Sequence, residues 1–450
     1  MEKKLPRKQI KVLYVCPFAH YSGHPPGAAI HEPEALARAG ADVTLLTFYG
    51  IIDNTEVKVP HITVIPRTKS LHPTQRLVNL FLTRWSLLRW PIMFLENLWV
   101  LSKAVRLKRK LNYDIIHLRD GDPFMPIPFL ISLTKGNLNW VVSLMGGGLY
   151  KPTQLFAALR KDFRLFVYTM ALRIIHSKLW RPLYRRSLAK NRFLIMTQSE
   201  AGKQKYDSYM QGLFSGKVTY LMMGQGDMDK SVSKEEARRH LDMPRDKPIF
   251  LSFGVPHPGK DLETVFRAVK DIPNVILVQA GKSTFSVGPN PTRLAENYAI
   301  VDKVMIRDNY IPEKEKPYYF FAADAVILSY TRQFLSTVSI LWDACHFRTP
   351  VIASDNGQMG ELVRAFQVGL LFKAQDTTSL KDAISRFISL KPDEIEVLKG
   401  NCQRFNREFS LDKWAQKCLE IYESLLSNKR GNIRSKRRKL EQGAIVNNYE

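Results

Sequence analysis

Between Ala322 and Val363 the chain reads AADAVILSYTRQFLSTVSILWDACHFRTPVIASDNGQMGELV. A buried strand from Asp324 to Leu328 passes through a loop into a helix from about Thr337; a second strand, Thr349 to Ala353, and a glycine-bearing turn follow. Strands joined through a helix run parallel, because a tight hairpin cannot connect them. This single segment therefore restricts the chain to the α/β class. It also sets a loop between a strand end and a helix start, where free N–H groups and the positive helix end face an anion.

The same alternation continues in two series. The first holds Ile10–Pro17, a loop bearing Gly23 and Gly27, a helix to about Ala39, then Asp42–Phe48, His61–Pro66, Tyr113–Leu118, Trp140–Met145 and Phe193–Gln198. The second holds Val218–Met223, Pro248–Phe253, Val275–Ala280, Asp324–Leu328 and Thr349–Ala353, with helices at Lys234–His240, Leu262–Lys270 and Lys314–Ala322. Such order predicts doubly wound parallel sheets with helices on both faces. A chain of 450 residues is long enough for two of them. The composition shift at Met222–Lys230 puts the boundary between 1–222 and 223–410. A last helix, 411–427, carries Trp414, Cys418, Ile421 and Leu425 on one face and is expected to pack at the domain junction. The tail, 428–450, is basic and lacks an apolar period. The four cysteines are scattered without metal-ligand spacing, which fits a reducing cytosol. No window of 18 uninterrupted apolar residues predicts a membrane span.

The net charge of +25 is concentrated in three places. Residues 67–110 hold ten Lys and Arg against Glu96, residues 151–192 hold eleven against Asp162, and residues 429–439 hold seven against none. The first two windows interleave these charges with rings such as Trp85, Trp90, Trp99, Phe163, Tyr168 and Trp180. Cations beside aromatic rings on helices suit an anionic membrane surface. Equally, such rings serve as core under a solvated basic face. Nucleic acid also attracts this charge, but no helix-turn-helix, finger, RNP or KH signature accompanies it, which argues against that partner.

The opening segment resembles the nucleotide-sugar-binding region of glycosyltransferase family 4, the retaining GT-B enzymes. Asp343-Ala344 stands at the family's Glu-Ala position, and Thr349-Pro350-Val351-Ile352-Ala353-Ser354-Asp355-Asn356-Gly357 follows at the family's spacing. The resemblance extends over Gly224–Gly254, over RDNYIPEKEKPYYFFAADAVILSY and, less closely, over Ile10–Leu46. It implies a GT-B fold, two Rossmann-like domains facing across a cleft. It also implies a cytoplasmic enzyme that moves a sugar from a nucleotide-diphosphate sugar to a glycan or lipid-linked acceptor, docked peripherally on a membrane.

Site residues follow from the same resemblance. Gly254 opens a loop ending in Lys260, the cation expected on the diphosphate, unless Lys260 is a solvated surface residue. Gly281 is a candidate close-approach position, and Asn309, Tyr310 and Ile311 form the turn expected around the nucleobase. Asp343 is the expected ribose partner, with the alternative that it only complements a helix dipole. Ser336 and Thr337 offer hydroxyls and N–H groups to the donor. On the acceptor side the candidates are Gly23, Gly27, Gly146, Gly147, His117, Arg119 and Asp120, polar or small groups near C-terminal strand ends. Asp120 has an equal claim as a turn residue. His31, on the first helix, is expected to be structural. No metal or other cofactor is expected, because side chains and N–H dipoles replace it.

Three positions depart from the family. Val255 stands where an Arg is expected, Leu335 where the first Glu is expected, and Met145 where a His often precedes the glycines. They keep two rivals open: a catalytically weak binding or scaffold subunit, and a GT-B enzyme of other chemistry such as a sugar-nucleotide epimerase.

Overall fold

A computed structural model describes residues 9–17, 19, 24–51, 56–65, 86–119, 138–144, 181–190, 192–198, 200, 203–204, 218–222, 231–257, 259–283, 290–334 and 338–427. The chain divides into two compact units, Met1–Met222 with Leu411–Glu450, and Met223–Ser410.

The first unit runs β1 (Lys11–Cys16), α1 (His24–Arg38), β2 (Asp42–Thr47), β3 (His61–Thr63), α2 (Ser86–Leu111), β4 (Ile115–Arg119), β5 (Asn139–Leu144), α3 (Arg181–Lys190), β6 (Arg192–Thr197) and β7 (Val218–Tyr220). Its seven strands pair in the order β3-β2-β1-β4-β5-β6-β7, every pair parallel. Alternate residues of β1 point to opposite faces. Leu13 and Val15 join a core with Val100 and Leu101 of α2, while Val12, Tyr14 and Cys16 join one with Ala29 and Leu36 of α1. A strand covered on both faces reads as a continuous apolar run, as KVLYVC does.

The second unit runs α4 (Lys234–His240), β8 (Ile249–Phe253), α5 (Leu262–Lys270), β9 (Ile276–Ala280), α6 (Pro291–Asn297), β10 (Val304–Arg307), α7 (Lys316–Ala322), β11 (Ala325–Leu328), α8 (Ser339–His346), β12 (Val351–Ser354), α9 (Gly357–Phe366), β13 (Gly369–Phe372), α10 (Thr377–Ile388) and α11 (Pro392–Glu408). Its sheet is ordered β10-β9-β8-β11-β12-β13. The order in which strands are added reverses between the parallel β8 and β11, and in doubly wound sheets the crevice at that point, at the carboxyl ends of the strands, is where ligands bind. Local chemistry starts several helices: Ser233, Asp261, Asn290 and Asp376 each accept a backbone N–H in the first turn of the helix that follows.

After α11 the chain returns to the first unit as α12 (Leu411–Ser427). Trp414, Ala415, Cys418 and Tyr422 enter the same core as α1, and Arg38 of α1 pairs with Asp412 at 2.8 Å. The apolar face read from the sequence is thus spent on the first unit.

Other expectations are corrected. Val218–Met223, read as opening the second series, supplies β7 of the first sheet, paired with β6. Gly27 lies within α1 rather than in a loop before it. Pro25 and Pro26 sit in that helix's first turn, where a missing N–H costs no intrahelical bond. The edge strand β13 escaped the reading because GLLF is short and three of its four residues are only half-buried.

Candidate functional site

The ends of β8, β9, β10 and β11 build the site. Gly254, just past β8, has φ +91°, and its N–H donates to Ala280 O at 2.7 Å. Gly281, just past β9, has φ +140°; a Cβ there would lie 2.5 Å from the carbonyl carbon of Gly254. Only glycine permits this approach. Gly281 N–H donates to Arg307 O at 3.0 Å, which carries the contact on to β10.

Lys260 ends the loop that Gly254 opens. It is 7% exposed, and its ammonium donates to the carbonyls of Phe253 and Gly254. Burial pulls its pKa down to about 7. The surface-lysine alternative is therefore ruled out. The loop is fixed from the β11 side as well: Lys260 pairs with Tyr330 as an antiparallel bridge, Thr331 N–H donates to Gly259 O at 3.0 Å, and Asp261 N–H to Ser329 O at 3.1 Å. At the end of β12, Ser354 Oγ accepts from Tyr330 N–H at 3.1 Å, and just past it the Asn356 amide donates to Thr331 O at 3.1 Å and to Phe334 O. Three loops at one sheet edge are thus held together by backbone and side-chain hydrogen bonds.

Near this edge stand polar atoms that no partner among the described residues satisfies. Gln279 is 1% exposed, and its amide nitrogen donates to Gly254 O at 3.4 Å while Oε1 accepts nothing. The buried hydroxyl of Ser329 is likewise unpartnered. Helix α8 starts after Val338, which makes no side-chain cap among the described residues, and in its first turn Leu341 N–H donates to Val338 O at 3.0 Å. Asp343 on α8 is 6% exposed and meets Lys316 Nζ at 3.3 Å.

In the first unit the polar groups of β4 are turned inward. His117 is fully buried, with Nδ1 2.5 Å from Tyr422 Oη and Nε2 2.6 Å from Ser143 Oγ. Burial, reinforced by the Arg119 charge, lowers its pKa to about 3. Arg119, 3% exposed, clasps Glu32 through Nε and Nη2 at 2.9 Å, and Tyr14 Oη donates to the same carboxylate.

Residues 233–402 match the family described as Glycosyl transferases group 1. The match takes in most of the second unit. A curated relative, the D-inositol 3-phosphate glycosyltransferase of Rhodococcus erythropolis, is 27% identical over 204 residues, which cover 43% of this chain and 45% of that protein. The match thus spans under half of the relative's length. Among solved structures, sucrose-phosphate synthase of Thermosynechococcus elongatus superposes with TM-score 0.65 at 18% identity, over 93% of this chain and 99% of that one. HepE of Anabaena, solved with UDP-glucose, gives TM-score 0.60 at 13% identity, over 92% and 100%. These likenesses show the fold, which is GT-B.

Within the second unit the structure brings Gly254, Lys260 and Gly281 to one edge of the sheet. Asn309 is exposed, Tyr310 half-buried and Ile311 buried in the turn after β10. Leu335, Ser336 and Thr337 lie outside the described residues, as do Gly23, Asp120, Met145, Gly146 and Gly147. His117 and Arg119 are corrected: both are core groups whose hydrogen-bonding capacity is met by Tyr422, Ser143 and Glu32, because an unpaired polar group in that core would be costly. A histidine that stays neutral down to about pH 3 does not carry protons at neutral pH. Sequence reading missed Gln279, Asn356 and Lys316. Asn356 alone had a signal, its place in the Ser354–Gly357 motif, whereas the other two depend on contacts across the fold.

Proposed function

We propose that this chain is a retaining, metal-independent glycosyltransferase that moves a sugar from a nucleoside diphosphate sugar to a glycan or lipid-linked acceptor. The observation that carries the reading is the Gly254–Gly281 contact beside the buried Lys260, at the switch point of a group 1 domain. The bond from the anomeric carbon to the phosphate oxygen breaks, and negative charge grows on the departing diphosphate. The Lys260 ammonium is the group suited to receive that charge. The acceptor oxygen bonds to the anomeric carbon on the same face, and its proton passes to the departing phosphate oxygen. No base from β4 is required.

The name of the Rhodococcus relative supports glycosyl transfer, and the UDP-glucose of HepE supports a nucleotide-sugar donor. Among the described residues no group of three His, Cys, Asp or Glu is placed to hold a metal ion. The testing experiment is a donor-hydrolysis panel of UDP-, GDP- and ADP-sugars with and without EDTA, with the anomer formed read by NMR. Turnover of one donor with retention and with chelator present is the expected result. Turnover that needs added Mg²⁺ or Mn²⁺ overturns the metal-independent chemistry.

Val255, 37% exposed at the position of the family's Arg, favours a second reading, a nucleotide-binding subunit of low activity. Nucleotide binding without turnover across the panel identifies it. The acceptor side of the proposal rests on α2. Leu95 is 60% exposed and Trp99 58%, and Arg106, Arg109 and Lys110 are exposed further along the helix. An anionic membrane surface suits this face, because rings seat at headgroup depth while cations meet lipid phosphates. No helix among the described residues is long and apolar enough to cross a membrane.

A further inference from the structure

Asp308 stands one residue past β10 and is exposed there. Its Oδ1 accepts from the N–H of Ser283, three residues past β9, at 2.5 Å. The Ser283 hydroxyl beside this bond is buried and has no partner among the described residues. Both residues belong to the crevice edge. Gly281, two residues before Ser283, lies against the backbone of Gly254 and donates its N–H to the carbonyl of Arg307, the residue before Asp308. The turn of Asn309, Tyr310 and Ile311 follows directly.

Adjacent strands lie about 4.8 Å apart, so the ends of β8 and β10 are roughly 10 Å apart across β9. A nucleoside diphosphate anchored at Lys260 would extend across β9 toward that end. A carboxylate there only accepts hydrogen bonds, and it has about four lone-pair sites, so the bond from Ser283 leaves capacity for more. Guanine offers N1–H and an N2 amino hydrogen side by side and gives both to one carboxylate. Uracil offers a single N–H between two carbonyl oxygens, and adenine an amino group beside a bare ring nitrogen. Either of these sets a lone pair against the carboxylate. A site built around an acceptor rejects such bases strongly, because its own polar groups are left unmatched. The Ser283 hydroxyl is a donor suited to O6, the next atom along the guanine edge.

We propose that Asp308 and Ser283 read the hydrogen-bonding edge of guanine, which makes the donor a GDP-sugar. The proposal rests on the donor-site reading above and adds to it the identity of the base.

Calorimetric titration of the full chain with the diphosphates of guanosine, inosine, xanthosine, uridine and adenosine tests it. Wild type should bind GDP about tenfold or more tighter than each of the others, the worth of a hydrogen bond to a charged acceptor. Asp308→Asn keeps an oxygen for Ser283 N–H but adds an amide donor. That amide can donate to O2 of xanthine and accept from its N1–H, so the variant should lose GDP affinity and gain affinity for xanthosine diphosphate. Equal weakening of every diphosphate, or an unchanged order of preference, overturns base reading and leaves Asp308 as a clasp on the loop after β9. A wild type that prefers UDP or ADP overturns the guanine assignment while sparing the donor site. A wild type that binds none of the diphosphates overturns both readings. Should Asp308→Asn fail to fold, wild type with GDP and inosine diphosphate decides: weaker binding without the 2-amino group supports the proposal, and equal binding overturns it.

Discussion

Gly281 leaves no room for a side chain, because the carbonyl of Gly254 passes 2.6 Å from where its Cβ would stand. The neighbour is backbone, so a rotamer change cannot relieve the clash. Gly281→Ala should destabilise the second unit by about 2–4 kcal/mol, from overpacking plus the strained φ. Nucleotide affinity should fall with it. Denaturant unfolding followed by nucleotide titration checks both. A variant as stable as wild type would mean that the two strand ends separate without cost.

Lys260 gives the donor site a pH signature. Its free-state pKa of about 7 leaves it mostly neutral at pH 8. A bound diphosphate favours the ammonium, so binding at pH 8 should take up a proton, and affinity should fall as pH rises from 7 toward 9. Lys260→Met should abolish the uptake and weaken binding by about 1.5–3 kcal/mol, the scale of a hydrogen bond to a charged group. Titration in buffers of different ionisation enthalpy measures the proton count. An uptake that persists in Lys260→Met would assign the proton to another group.

His117 predicts how the first unit responds to acid. Its folded pKa of about 3 lies below the ordinary value of 6.5, so the unfolded chain binds the extra proton between those limits. Its contribution is whole above pH 6.5 and is lost as pH falls toward 3. The slope from this group approaches about 1.4 kcal/mol per pH unit. Unfolding free energies between pH 7.5 and 4.5 should show it, and His117→Gln should flatten the curve. A slope retained in that variant places the acid sensitivity elsewhere.

Legibility from sequence followed the range of the contacts involved. Strands such as β1, β2, β8, β9 and β12 were readable as short apolar runs, since burial on both faces leaves a local mark. Lys260 and Asp343 were readable because they sit inside a dense motif. The sheet to which Val218 belongs was not readable, because strand pairing is a tertiary choice. His117 and Arg119 ended an apolar run and therefore resembled edge groups. Their partners, Tyr422 and Glu32, lie 305 and 87 residues away in sequence. Lys316 was invisible for the same reason, being a lysine in a charged stretch until its contact with Asp343 is seen.

Vesicle binding tests the α2 face. Leu95 and Trp99 are half or more exposed, whereas Val100, Leu101 and Ala104 on the opposite side are fully buried. Replacing Arg106, Arg109 and Lys110 with Gln should weaken binding to anionic vesicles by about 3 kcal/mol at low salt, near 1 kcal/mol per charge. Leu95→Ser with Trp99→Ser should weaken binding at every salt concentration, while melting behaviour stays near wild type. Co-sedimentation with anionic and neutral vesicles reads the difference. Indifference of the wild type to anionic vesicles at low salt would make α2 an ordinary solvated helix and favour a soluble acceptor.

The return of α12 to the first unit bears on the order of assembly. Translation delivers the first sheet's strands early, yet Trp414, Cys418 and Tyr422 complete its core only after the entire second unit has been made. Until then His117 waits without its tyrosine, and the α1 side of the sheet lies open to whatever apolar surface comes near. The half of the molecule that leaves the ribosome first is thus the half that closes last. A nascent chain stalled before residue 411 would be the form most in need of a chaperone.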